Sequence, residues 1–80
     1  MNIPRPGSLY RHFKGNYYRI IGTGTHTETE ELLVIYKKEG DALIWIRPLG
    51  NFLSKVDRSK YPDVEQEYRF VKIDEEEEWF

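Results

Sequence analysis

Leu32-Leu33-Val34-Ile35-Tyr36-Lys37-Lys38-Glu39-Gly40-Asp41-Ala42-Leu43-Ile44-Trp45-Ile46-Arg47-Pro48 is the stretch whose reading decides the fold. Residues 32–36 and 42–47 are two β-favouring runs, and the polar residues between them end in Gly40-Asp41, a turn signal. Proline has no amide hydrogen to give, so Arg47-Pro48 ends the ladder. Side chains alternate between faces along a strand. With Ile44 and Ile46 turned into the core, Trp45 and Arg47 share the opposite face. Tyr36 joins Trp45 if the two strands pair in the matching register.

The same reading extends to both sides. Residues 9–13 and 17–23 are strands joined by Lys14-Gly15-Asn16, where glycine accepts a positive φ without strain. Residues 22–30, rich in Gly, Thr and Glu, form a loop after the second strand. Residues 1–7, with Pro4, Pro6 and Gly7, are an extended entry segment. Downstream, residues 48–53 fit one helical or 3₁₀ turn plugging a barrel end, and residues 56–66 fit a surface connection. Residues 67–73 close the sheet with Phe70 inward, and residues 74–80 form a short helix or an acidic tail.

Five short strands with tight turns predict one domain over residues 8–73. The expected architecture is a mostly β, five-stranded antiparallel SH3-like barrel with one short helical turn. An open α+β sheet with a C-terminal helix is the alternative.

Composition agrees with a small aromatic-filled domain. The chain has 80 residues, 39 % hydrophobic and 32 % charged, too apolar for disorder. Its longest apolar run is residues 32–36, against the roughly 20 residues of a membrane span. No membrane partner is expected, and the lack of a secretion signal predicts a cytoplasmic protein. Zero cysteine excludes disulfides, thiolate metal sites and thiol nucleophiles. The twelve aromatics therefore carry the core, at roughly 150–250 Å² of buried area each. The net charge of −2 is unevenly spread: residues 1–27 hold four bases and no acid, and residues 74–78 are all acidic. Without that acidic run the body stands at +3, which permits an anionic partner.

Three segments bear on function. Tyr10-Arg11-His12-Phe13-Lys14-Gly15-Asn16-Tyr17-Tyr18-Arg19 interleaves bases with aromatics, a mixture that suits single-stranded nucleic acid. Alternation, however, commits half of those aromatics to the core. His26-Thr27-Glu28-Thr29-Glu30-Glu31 is polar, but it lacks the His-x-x-x-His spacing of a metal site. No nucleophile elbow or phosphate loop occurs, so no cofactor, metal or catalytic residue is expected. Trp45 beside Arg47 is the third segment, and it forms a recognition pair, because the guanidinium stacks and forks onto oxyanions.

Taken in order, the Tyr10 to Arg19 segment, the His26 to Glu30 segment, Val34-Ile35-Tyr36, Trp45-Ile46-Arg47-Pro48 with Phe52, and Tyr68-Arg69-Phe70 resemble domain of unknown function 1653. The resemblance covers residues 7–73. It implies a small, mostly stand-alone bacterial cytoplasmic β domain with no assigned activity. The matching polar and aromatic positions are Tyr10, His12, Lys14, Gly15, Tyr18, His26, Thr29, Tyr36, Trp45, Arg47 and Pro48. Tyr68 stands where the resemblance has proline.

These readings favour a non-enzymatic binding module for a small or extended ligand, with an anion as the natural candidate. Its expected ligand-binding residues are His12, Lys14, Tyr18, His26, Thr29, Tyr36, Trp45 and Arg47. A single-stranded nucleic-acid binder using the first hairpin is the alternative, and a protein partner stays open.

Overall fold

The structure, a computed structural model, describes residues 3–75. Five strands and one short helix follow in the order β1 (Leu9–His12), β2 (Tyr17–Thr25), β3 (Leu32–Lys38), β4 (Ile44–Pro48), α1 (Leu49–Phe52) and β5 (Phe70–Ile73). They form one antiparallel sheet ordered β4-β3-β2-β1-β5. No ladder joins β4 to β5 among the described residues. No helix of these residues is long and apolar enough to cross a membrane.

Two turns need glycine. Gly15, between β1 and β2, sits at φ 105°, and Gly40, between β3 and β4, at φ 86°. Nothing lies within 4 Å of where a Cβ on Gly15 would stand, so only backbone strain opposes a side chain there. Gly15→Ala is expected to cost about 1 kcal/mol, about 5 °C in a thermal melt followed by circular dichroism.

Cross-strand register sorts the faces, because directly opposed residues share one. Tyr10 opposes Tyr18, Ile20 opposes Tyr36, Tyr36 opposes Trp45 and Val34 opposes Arg47. That face holds the core: Tyr10, Ile20, Val34 and Tyr36 are buried, together with Leu49 and Phe52 of α1 and Phe70 of β5. At its centre the rings of Phe52 and Phe70 stack at 4.1 Å and 6°. Tyr10 and Tyr36 meet Phe52 edge-on at 5.2 and 5.6 Å. Phe70 also reaches Tyr36 at 5.5 Å, so the sheet coils enough to bring side chains of β5 against β3.

Three expectations are corrected. Ile44 and Ile46 do not enter the core; they are 49 % and 62 % exposed. Trp45 and Arg47 instead share the core-side face, because β4 pairs with β3 in the register that sets them opposite Tyr36 and Val34. Residues 22–25 belong to β2 rather than a loop: the register shifts between Ile20 and Gly22, and the ladder then runs on to Thr25 opposite Leu32. The β3–β4 ladder does end at Pro48, opposite Leu33, as the sequence predicts. The closing strand is also shorter than residues 67–73, with an isolated bridge between Lys55 and Tyr68 before β5 begins.

The first strand resolves to Tyr10 and His12 on the core side. On the other face Arg19 donates to Glu39 at 2.6 Å and to Glu75 at 2.8 Å. The start of the acidic segment thus meets the basic half of the chain. The remainder of that segment, residues 76–80, lies outside the described residues.

Candidate functional site

Where β1 ends, its last residue comes under the far end of β4 and beside the chain leading into β5. A cavity of about 240 Å³ opens there, lined by His12, Phe13, Lys14, Arg47, Asp57, Lys60, Tyr61 and Arg69. Four cations and one carboxylate share it.

His12 opposes Phe70 across the β1–β5 ladder. Its ring stacks on Phe13 at 4.4 Å and meets Phe70 edge-on at 4.9 Å. Its Nδ1 accepts the Lys14 backbone N–H at 3.1 Å, an arrangement that places the proton of the neutral ring on Nε2. Burial, and then the charges of Arg47, Arg69 and Lys14, lower its pKa to about 4. Near neutral pH this histidine is an uncharged hydrogen-bond donor.

Arg47 is aimed by two partners. Its Nε donates to the Tyr36 hydroxyl at 3.0 Å, and its Nη1 donates to the Asn51 side-chain oxygen. Its guanidinium carbon lies 5.7 Å from the centre of the Phe70 ring, an in-fold cation–π contact. Arg69 is fixed from behind: its Nε donates to Ser54 Oγ at 3.2 Å, and its backbone N–H donates to the Ser54 carbonyl at 2.9 Å. Neither terminal nitrogen of Arg69 has a partner among the described residues. Lys14 extends over the Phe13 and Tyr61 rings at 6.0 and 5.5 Å, and these rings pack edge-on at 4.9 Å.

Lys60 and Tyr61 arrive on a turn capped by Asp57. Its carboxylate accepts the Ser59 hydroxyl at 2.6 Å and the Ser59 N–H at 3.0 Å. Its carbonyl accepts the N–H groups of Lys60 and Tyr61. The Ser59 bonds hold the Asp57 carboxyl below its ordinary pKa. That carboxylate is a turn cap and forms no ion pair with the surrounding bases. Among the described residues the ion pairs are Arg19 with Glu39 and Glu75, and Lys55 with Glu67. Lys14, Arg47, Lys60 and Arg69 belong to none of them.

The eight expected site residues fall into four places. His12, Lys14 and Arg47 line the cavity. Tyr18 and Tyr36 lie behind it, with Tyr18 edge-on to His12 at 6.2 Å and to Tyr36 at 5.5 Å. Trp45 stands on the same face of β4 as Arg47, opposite Tyr36, and does not line the cavity. His26 and Thr29 sit in the β2–β3 loop and do not line the cavity. There, His26 Nδ1 accepts the N–H groups of Glu28 and Thr29, and Thr29 Oγ1 accepts that of Glu31. Both side chains shape their own turn.

Lys60, Tyr61 and Arg69 were not among the expected residues. Arg69 had a signal in Tyr68-Arg69-Phe70, whereas Lys60 and Tyr61 stood in a segment read as a plain surface connection. A second, more open hollow of about 1180 Å³ lies under the N-terminal segment, bordered by Ile3, Pro4, Tyr10 and Leu53 among others. It gathers only Arg5 and Lys72 as charged groups. Among the described residues no three His, Asp or Glu side chains cluster as a metal site.

Comparison with known proteins gives one match. The model of the family described as Protein of unknown function (DUF1653) matches residues 8–76, most of the chain. The protein belongs to that family. Neither a curated protein nor a solved structure matches it.

Proposed function

We propose that this member of the DUF1653 family is a binding module whose cavity takes a small oxyanion. One observation carries the reading: four cations meet around a single carboxylate, and none of them has an ion-pair partner among the described residues. Gathering like charges in a concave site raises the energy of the empty protein, and an anion relieves it. Arg69 offers two uncommitted terminal nitrogens and Arg47 one. His12 offers Nε2–H, and Lys14 and Lys60 supply mobile ammonium groups. Tyr36, Asn51 and Ser54 hold the two guanidinium groups in place beforehand, which lowers the ordering cost of binding.

Catalysis has less support. A histidine with a pKa near 4 is a weak general base near neutral pH. The coiling that sets Phe70 of β5 against Tyr36 of β3 supports reading the architecture as an SH3-like barrel, although no ladder joins β4 to β5 among the described residues. For the nucleic-acid alternative, the first hairpin has few free rings: Tyr10 is buried, and Phe13 and Tyr18 are committed to neighbours. Tyr17 is its exposed aromatic.

The test is a nuclear magnetic resonance titration of both histidines with inorganic phosphate. In the free protein the His12 ring is expected to titrate near pH 4. Bound phosphate offsets the charges that hold it there, so its midpoint is expected to rise; at fixed pH, added phosphate should leave the signals of His26, which does not line the cavity, unmoved. By linkage, once phosphate is itself the monoanion, it binds more tightly as pH falls toward that midpoint. Absence of a saturable His12 response would remove the reading.

The same lowered pKa fixes the sign of a stability effect. The unfolded chain takes up a proton near 6.5 and the folded chain near 4, so between these values the unfolded state binds more protons. His12's contribution is therefore complete above about pH 6.5 and is lost as pH falls through that window.

A further inference from the structure

β4 is the outer strand of the sheet, and nothing among the described residues pairs with its free side. Leu43, Ile44, Trp45 and Ile46 are 56 %, 49 %, 47 % and 62 % exposed, four consecutive large apolar residues facing solvent. Free edges are normally guarded by charges, a bulge or a proline within the strand. In β4 these guards, Arg47 and Pro48, stand only at its end, and residues 42–46 ahead of them carry no charge and no proline. A run of this kind marks a contact surface.

The bonding directions of the edge follow from Pro48. A proline in an outer strand turns its nitrogen to the open side. Pro48 opposes Leu33, and bonding direction alternates along a strand. The N–H and C=O groups of Ile44 and Ile46 therefore face the open side, while those of Trp45 and Arg47 face β3.

We propose that β4 pairs antiparallel with β4 of a second copy, about a two-fold axis at Ile44, joining two five-stranded sheets. In this register Ile44 opposes itself, Ala42 opposes Ile46, Leu43 opposes Trp45 and Asp41 opposes Arg47 on both sides of the axis. The outward-bonding residues of β4, Ile44 and Ile46, then meet Ile44 and, just ahead of the strand, Ala42 of the second copy. Uncharged residues fill the centre and opposite charges close both ends. An axis at Ile46 would set Pro48 against Ile44, where it cannot donate. An axis at Trp45 would set Arg47 against Leu43 and leave Asp41 without a base. The charge match and the proline thus select the same register, which makes a second copy the occupant the edge fits.

Such an edge contact is smaller than the roughly 1,200–2,000 Å² of a stable interface, so association on the order of 100 μM is expected. Sedimentation equilibrium from about 10 μM to about 1 mM brackets that value. The average mass should climb from 9.6 kDa toward twice that figure. Amide exchange at Ile44 and Ile46 should slow with concentration, while that at Trp45 should not change. Ile44→Lys, at an exposed site that leaves the core intact, should hold the protein monomeric. Asp41→Asn keeps an acceptor for the Leu43 N–H, which Asp41 Oδ1 accepts at 3.1 Å, and should weaken association several-fold. A monomeric mass at the highest concentration overturns the proposal, and so does association that Ile44→Lys leaves unchanged.

Discussion

Phe52→Ala is expected to leave little or no folded protein at 37 °C. Phe52 is 1 % exposed and is the largest side chain so fully enclosed. It sits on the last residue of a four-residue helix that has no hydrogen-bonding side-chain cap, so packing holds α1 in place. Its ring stacks on Phe70 and takes the edges of Tyr10 and Tyr36. Those contacts join β1, β3, β5 and the helix at one point. Truncating a buried phenylalanine costs about 3–5 kcal/mol, because the lost transfer energy adds to that of the cavity left behind. A chain of 80 residues has only about 4–12 kcal/mol of total stability, at roughly 0.05–0.15 kcal/mol per residue. Urea unfolding of Phe52→Ala should show its midpoint lowered by about 2–3 M, or no folded baseline at all. Phe52→Leu, which keeps most of the volume, should lose about 1–2 kcal/mol. A loss under about 1 kcal/mol for the alanine variant would mean the core does not converge on this ring.

The strands were legible in the sequence to a large extent, whereas of the core only Phe70 was, and the failures have physical causes. The strands emerge because β-favouring runs are short and separated by Gly15 and by Gly40-Asp41, where the backbone takes positive φ at each glycine. Phe70 reads as inward because its strand alternates. The facing of β4 does not emerge, since alternation separates Ile44 and Ile46 from Trp45 and Arg47 without saying which pair is buried. Residue type favoured the isoleucines. Register decided otherwise, and register depends on pairing with β3, a property of two strands rather than one. In β2 the Gly22 and Gly24 pair suggested a loop, but the shift after Ile20 lets the ladder continue.

The site divides in the same way. His12, Lys14 and Arg47 stand out locally, as bases set among aromatics on strands and their turns. Lys60, Tyr61 and Arg69 come from segments with no such pattern. Two contacts between distant residues deliver these segments: Ser54 binding Arg69 at both Nε and the backbone, and Gln66 Nε2 donating to the Arg11 carbonyl at 3.2 Å. His26 and Thr29 were attractive by residue type, yet their side chains are used by the turn that contains them. A polar cluster close in sequence tends to satisfy its own backbone, whereas a cluster assembled from four segments leaves its charged ends free.

Arg69→Ala is expected to weaken phosphate binding by at least about tenfold, the consequence of losing charge-assisted bonds at about 1.5–3 kcal/mol each. Arg69 is the better probe of the two arginines. Removing Arg47 would also deprive the buried Tyr36 hydroxyl of its donor and so mix stability with affinity. Removing Arg69 costs the fold only one side-chain bond, to Ser54 Oγ, and the backbone bond to Ser54 remains. Its melting temperature should therefore move by only a few degrees, about 1 kcal/mol at most. Arg69→Lys should fall between the two, since an ammonium keeps the charge but not the planar fork. A second readout needs no ligand: Arg69 is one of the charges depressing His12, so the His12 midpoint of Arg69→Ala should lie above the value near 4 in the parent protein. If that midpoint rises while phosphate affinity is unchanged, Arg69 faces His12 without touching the anion, and Arg47, Lys14 and Lys60 carry the site. If both move together, one field set by these cations governs the histidine's proton and the bound anion alike.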